Sequence, residues 1–222
     1  MGQYFSNEIL PSNIKSYNAK ILGHAFTFFT DNGVFSKEHL DFGTRLLLEN
    51  IPLELVTGDI LDVGCGYGVI GITLAKLTKQ KVTMIDINKR ALHLASKNAK
   101  ENKIENFDIR ESNCYENILA SEKFQIIVTN PPIRAGKKIV YEILMKAKDH
   151  LIENGSLFLV IRKEQGAKSL ISDLKECYDV EVLEKKKGFF ILKCTFWLTS
   201  WIFYGNNINW QRIIFLINMF FD

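Results

Sequence analysis

The stretch 62–71, Asp62-Val63-Gly64-Cys65-Gly66-Tyr67-Gly68-Val69-Ile70-Gly71, decides the fold. It begins inside a short apolar run, DILDV at 59–63, which reads as a buried strand. It runs into 68–79, GVIGITLAKLTK, where Ile70, Leu74 and Leu77 recur at helical spacing on one side. Strand, glycine loop and helix therefore follow in order. Glycines let backbone approach a ligand closely, and the free N–H groups at the helix start face it.

Outward from the loop, strands and helices alternate. KVTMIDI (81–87) is a second strand, and 89–103 a helix with Ala91, Leu94, Ala95 and Asn98 on one face. FDIRESN (107–113) and FQIIVTNPP (124–132) are the third and fourth strands. The spacing predicts a helix over 138–155 that ends at Gly155 as a C-cap. A fifth strand (155–163), a helix (167–178) and two tightly joined strands (180–187 and 188–194) complete the series. Strands alternating with helices imply parallel pairing and an α/β sandwich, with the last pair antiparallel.

The loop admits two ligands. Read from Gly66, GYGVIG matches GxGxxG with Asp86 twenty residues on, the dinucleotide fingerprint. It also fits a loop for S-adenosylmethionine, an acidic residue followed by glycines at alternate positions. Three features favour the second. Asp62 precedes the loop, where a carboxylate would repel a pyrophosphate; the glycines start at Gly64, two residues early for a dinucleotide turn; and the fourth strand ends in Asn130-Pro131-Pro132-Ile133, for which a dehydrogenase has no use. Asp86, ending a strand, can accept both hydroxyls of a ribose or cap the helix beginning near Asn88. Two prolines stiffen the backbone beside Asn130. The Asn130 Oδ1 and the Pro131 carbonyl can then accept from one exocyclic NH₂ group and draw its lone pair toward an electrophile.

LDVGCGYGVIG (61–71), MIDINKRAL (84–92) and TNPPIRAGKK (129–138) resemble motifs of class I S-adenosylmethionine-dependent methyltransferases. More narrowly, they resemble the guanine-N2 methyltransferases of bacterial small-subunit ribosomal RNA and their short single-domain relatives. The resemblance extends over 26–49 and 161–192 and covers roughly residues 4–194. It implies a Rossmann-like α/β sandwich with a mostly parallel seven-stranded sheet and an antiparallel C-terminal hairpin. It implies S-adenosylmethionine as cofactor and RNA, small-subunit rRNA or the subunit itself, as partner. Residue by residue, Asp62, Gly64, Gly66 and Gly68 would surround the methionine part, and Asp86 would hold the ribose. Asn113 stands where the family has an aspartate contacting the adenine amine. Asn130, Pro131 and Pro132 would grip the target amine beside the cofactor. Ile133 replaces the aromatic residue of the adenine enzymes, which leaves base stacking to Phe35, equally readable as a core residue. Arg134 and Lys137 are placed to meet phosphate; each such contact makes binding salt-dependent. The resemblance implies a further N-terminal domain in the full-length relatives, which is not expected here. Two other functions fit the residues: N-methylation of a protein glutamine or a small amine, and a nucleotide-binding module without catalysis.

Composition sets the outer bounds. The 222 residues are 47% apolar and 24% charged, which excludes disorder, collagen-like repeats and coiled coil for the whole. A net charge of +3 permits a nucleic-acid partner without arguing for one. Cys65, Cys114, Cys177 and Cys194 show no CxxC spacing and His24, His39, His93 and His150 are scattered, so no metal site is expected. The opening MGQYFSNEIL is no secretory signal, and a reduced cytoplasmic protein is expected. Three segments result: 1–55, an N-terminal extension packing on the core; 56–194, the methyltransferase domain; and 195–222, an apolar tail. The tail holds Trp197, Trp201 and Trp210 but only Arg212 and Asp222 as charges. Its two apolar runs are each too short for a stable membrane span and are split by polar residues. Three readings stand for it: an interaction segment, extra helices on the domain surface, or translated sequence outside the ancestral frame, the last favoured by its lack of amphipathic period.

Overall fold

The computed structural model describes residues 11–196. Seven strands form one sheet: β3 (Ile60–Val63), β4 (Val82–Asp86), β5 (Phe107–Glu111), β6 (Phe124–Thr129), β7 (Leu151–Arg162), β8 (Asp179–Lys186) and β9 (Phe189–Thr195). Their order is β5-β4-β3-β6-β7-β9-β8. The first five in that order are parallel; β9 lies antiparallel between β7 and β8. This is the mostly parallel seven-stranded sandwich with antiparallel C-terminal strands expected from the alternation and the resemblance.

Helices cover both faces. Along β3, Ile60 joins one core cluster and Leu61 and Val63 the other, so the strand is buried on both sides. The first cluster packs α1 (Phe42–Glu49), α2 (Val69–Thr78) and α3 (Lys89–Glu101) on the sheet; the second packs α4 (Lys137–Lys146) and α5 (Ala167–Leu174). Because β3 is followed by β4 on one side and β6 on the other, the chain reverses direction there. In such sheets a crevice opens beyond the carboxyl ends of the strands.

The segment before α1 forms a separate hairpin, β1 (Lys15–Ile21) and β2 (His24–Thr30), closed by Leu22 and Gly23 at φ 47° and 83°. Positive φ at both turn residues matches the twist of a two-residue hairpin. Phe26 and Phe28 bury into the first cluster. The backbone of β2 is completed by α3: Asn98 Oδ1 accepts the Phe29 N–H (2.7 Å) and its Nδ2 donates to the Phe29 carbonyl (3.0 Å), while Asn102 treats Thr27 likewise (3.1 and 2.8 Å). Asn98 thus sits on the buried face of α3 as the spacing predicts, but as a surrogate strand partner.

One expected element is wrong. The helix predicted over 138–155 stops at Lys146; a 3-10 turn follows (Ala147–His150), and β7 begins at Leu151. Tyr178 ends the helix by donating to the Leu144 carbonyl (2.8 Å) and accepting from the Lys148 amide (2.9 Å). Gly155 is no C-cap. It lies in an irregular stretch of β7, where a Cβ would stand 2.8 Å from the Ile152 carbonyl oxygen. The sheet also runs past the expected boundary at Cys194: Thr195 pairs with Ser156 and Asp179, and the Phe196 N–H donates to the Gly155 carbonyl (2.9 Å). The rest of the tail lies outside the described residues.

Candidate active site

The loop after β3 is shaped by left-handed glycines: Gly64, Gly66 and Gly68 have φ of 69°, 56° and 92°. The amides of Gly64 and Cys65 both donate to the Ile85 carbonyl (2.9 and 3.0 Å), which ties the loop to β4. No atom lies within 4 Å of where a Gly66 Cβ would be, and at Gly64 only Pro132 Cδ comes that near, at 4.0 Å. These two glycines face open space. Gly68 does not: a Cβ there would stand 2.8 Å from Ile72 Cδ1 and 3.2 Å from Ala95 Cβ. It starts α2 and packs on α3 behind the loop, so of the three glycines expected to surround the cofactor two face open space and Gly68 does not.

Two carboxylates lie under and beside the loop. Asp86, ending β4, accepts from the Asn88 N–H through Oδ1 and the Gly66 N–H through Oδ2, each at 2.8 Å. The Ile87 N–H adds a third backbone donor, which still leaves the carboxylate acceptor capacity to spare. The cap of α3 is Asn88 instead, whose Oδ1 accepts from Arg90 and Ala91. Asp62 is fully buried: Oδ2 accepts the Gly71 N–H at 2.8 Å, and Oδ1 has no partner. Burial pushes its carboxyl up to about 7, with the Gly71 bond opposing and Asp86 adding to the rise.

Asn130 and the prolines face the loop. Thr129 Oγ1 donates to the Val63 carbonyl (2.8 Å), fastening the end of β6 to that of β3. Asn130 Nδ2 donates to Thr44 Oγ1 (3.0 Å) and more weakly to Asp41 Oδ2 (3.4 Å) at the start of α1. The Pro131 carbonyl accepts from the Ile133 N–H (2.9 Å), which leaves it one lone pair. The cavity between these parts has a volume of about 670 Å³. Gly64, Gly66, Asp86, Asn113, Asn130, Pro131, Pro132, Ile133, Arg134 and Phe35 all line it. Asn113 stands two residues beyond the end of β5, and its Nδ2 donates to Glu116 Oε1 (2.9 Å).

Phe35 is 53% exposed and belongs to the loop between β2 and α1, not to the core. That loop is fastened over the cavity by Tyr67, whose hydroxyl donates to the Ser36 carbonyl (2.9 Å), and by Asn88, which donates to the Gly33 carbonyl (3.0 Å). Lys137 is not brought to the cavity; its ammonium lies 4.7 Å from the centre of the Tyr141 ring. Among the lining residues that sequence reasoning missed are Asp41, Thr44, Phe189 and Ile87, the last 40% exposed immediately after Asp86. An apolar residue left outside at a strand end was the one legible signal among them. Among the described residues, no group of His, Cys, Asp and Glu is placed to hold a metal ion, and no helix is long and apolar enough to cross a membrane.

The family described as methyltransferase small domain matches residues 25–193, from β2 to β9. The chain belongs to the methyltransferase small domain family. Its fold is that of the class I, S-adenosylmethionine-dependent methyltransferases. Two relatives and one structure frame it within the family. The uncharacterized protein YbxB of Bacillus subtilis is 45% identical over 192 residues, 86% of this chain and 96% of that one. The ribosomal RNA small subunit methyltransferase C of Aeromonas hydrophila is 43% identical over 133 residues, 58% of this chain but 37% of that protein. The structure of the T. thermophilus 16S rRNA N2 G1207 methyltransferase, in complex with AdoMet and guanosine, superposes with a TM-score of 0.75 at 26% identity, covering 85% of this chain and 52% of that one. This chain therefore spans nearly all of the first relative and about half or less of the other two. As a methyltransferase small domain, it fits its cofactor in two observed respects: a buried carboxylate oxygen without a partner, and two glycines over open space.

Proposed function

We propose that this chain methylates the exocyclic N2 of a guanine in small-subunit ribosomal RNA. The observation that carries this function is the single cavity that joins Gly64, Gly66 and Asp86 to Asn130, Pro131 and Pro132 across the switch point of the sheet. The name and bound guanosine of the T. thermophilus neighbour supply the acceptor.

Bound S-adenosylmethionine supplies a sulfonium methyl already activated for in-line displacement. The remaining work falls to alignment, an effect that can contribute about 7–11 kcal/mol. Asp86, with acceptor capacity left beyond its backbone donors, would hold the ribose hydroxyls. Gly64 and Gly66 would hold the methionine end, with Asp62 buried beneath them and its partnerless Oδ1 offering negative charge from under the loop. Gly68 shapes the turn from behind. Asn113, anchored by Glu116 through its NH₂, turns its Oδ1 to the adenine amine. The Asn130 Oδ1 and the spare lone pair of Pro131 accept the two hydrogens of the guanine amine, which directs the nitrogen lone pair at the methyl. No strong base is needed, because a methylated aryl ammonium is very acidic. Phe35 stacks on the base, Ile133 packs at its edge, and Arg134 meets the strand, while Lys137, held over Tyr141 outside the cavity, would meet only phosphate beyond it. Guanine N2 is out of reach within a duplex, so the target is single-stranded or flipped out.

The test separates the two ends of the cavity. Asp86→Ala should weaken S-adenosylhomocysteine binding in calorimetry by about 1–3 kcal/mol, the cost of stranding hydrogen-bonded groups. Asn130→Ala should leave that binding nearly intact and lose most of the turnover on ribosomal RNA. Near-parental turnover in Asn130→Ala would remove Asn130 from this role.

A further inference from the structure

The side-chain amide of Asn130 is held by one end only. Its Nδ2 donates to Thr44 Oγ1 at 3.0 Å and to Asp41 Oδ2 at 3.4 Å. Thr44 Oγ1 in turn donates to that same Asp41 oxygen at 3.2 Å, which also caps α1 by accepting the Thr44 N–H at 2.8 Å. A carboxylate has no proton to give, so the group it faces must be a donor. Only one orientation of the amide meets this condition. Turned over, Asn130 would set its carbonyl oxygen against a carboxylate and offer NH₂ to a substrate amine that also needs an acceptor.

We propose that Asp41 and Thr44 are positioning residues for methyl transfer, which lock Asn130 with its Oδ1 free for the acceptor amine and polarise it through the chain Asp41–Thr44–Asn130. This rests on the reading of Asn130 as the residue that grips the amine. Linked hydrogen bonds polarise one another in a low-dielectric site. The negative charge at Asp41 makes Thr44 Oγ1 a better acceptor, and the drain on the Asn130 NH₂ makes its carbonyl oxygen richer in electrons. Positive charge grows on the amine nitrogen only as the methyl arrives, so the benefit falls on the chemical step. Helix capping explains the Asp41 bond to the Thr44 N–H; it does not require the Thr44 hydroxyl, which lies between the carboxylate and Asn130.

Three variants of the full chain test this against Asn130→Ala, with tritiated S-adenosylmethionine and small ribosomal subunits from cells lacking the protein. Thr44→Val keeps the shape and the backbone N–H for the cap but removes the hydroxyl. It should lower kcat by roughly tenfold or more, the scale of one preorganised donor or acceptor in a closed site. Its KM for S-adenosylmethionine and its affinity for S-adenosylhomocysteine should stay within about twofold, since the lost bond touches neither. Thr44→Ser should restore kcat. Asp41→Asn, which caps a helix as well as aspartate does, should lose the charge alone and fall between. A Thr44→Val enzyme within about twofold of the parent in kcat, beside an inactive Asn130→Ala, would overturn the proposal. So would a loss in Thr44→Val that Thr44→Ser shares. Full turnover in Asn130→Ala would remove the reading of Asn130 and this inference with it. Should Thr44→Val not fold, Asp41→Asn with parental kcat overturns the proposal by itself.

Discussion

One oxygen of the Asp62 carboxylate accepts the Gly71 amide at 2.8 Å, and the other is buried without a partner. The bond joins the end of β3 to the first turn of α2. It forms because Gly71 has no side chain: a Cβ there would stand 2.6 Å from Met84 Cγ and 3.1 Å from Asp62 Oδ2. Close packing and a half-satisfied carboxylate thus arise from one pair of residues.

A pH dependence follows from Asp62. Burial raises its carboxyl from 3.8 to about 7, so the ligand-free fold holds this proton at neutral pH more firmly than the unfolded chain does. The contribution of Asp62 to stability therefore falls as pH rises from about 4 to about 7. A cationic group placed beside it must expel the proton. S-adenosylhomocysteine, which carries an ammonium, should bind about tenfold more tightly at pH 8 than at pH 6 and release a proton near pH 6. Calorimetry in two buffers of different ionisation enthalpy measures both, and Asp62→Asn should remove the slope. A flat affinity in the parent protein would mean that no ligand charge reaches Asp62.

Asn98→Ala should destabilise the protein by about 2–4 kcal/mol, because it strands the Phe29 N–H and carbonyl beneath the hairpin. The Tyr67 carbonyl, which also accepts from Asn98 Nδ2 at 2.9 Å, loses a partner too. Chemical denaturation monitored by circular dichroism gives the number. A loss under about 0.5 kcal/mol, the level of an ordinary surface change, would show that water replaces the asparagine freely.

Local pattern carried much of this fold. The glycine loop, Asp86 and Asn130 were legible because each closes an apolar strand with a residue that has a reason to be there. The end of α4 was not legible. Ile139, Ile143, Ala147 and Leu151 continue in phase through the true stop at Lys146, and the tyrosine that terminates the helix lies 34 residues after the carbonyl it holds. Asn98 read as one more member of a helix face, because its partners come from a strand 69 residues earlier. Asp41 and Thr44 were silent for the same reason, lying 89 and 86 residues from Asn130. Phe35 was undecided between core and cavity until the loop was seen fastened by Tyr67.

Truncation should tolerate a cut after Phe196 better than one after Cys194. The shorter cut removes the Thr195 pairings and the Phe196 bonds to Asn154 and Gly155 that finish β9. A chain ending at Phe196 should keep its melting temperature and its S-adenosylhomocysteine affinity, and gain solubility by losing three tryptophans and two apolar runs. Unfolding of that chain would show that 197–222 completes the core.

The most direct measurement is nucleoside mass spectrometry of small-subunit rRNA, taken from cells lacking the protein and incubated with it and isotope-labelled S-adenosylmethionine. The label should appear as N2-methylguanosine at one site and be absent with Asn130→Ala. Label in N6-methyladenosine, or in protein and not in RNA, would contradict guanine N2 as the acceptor.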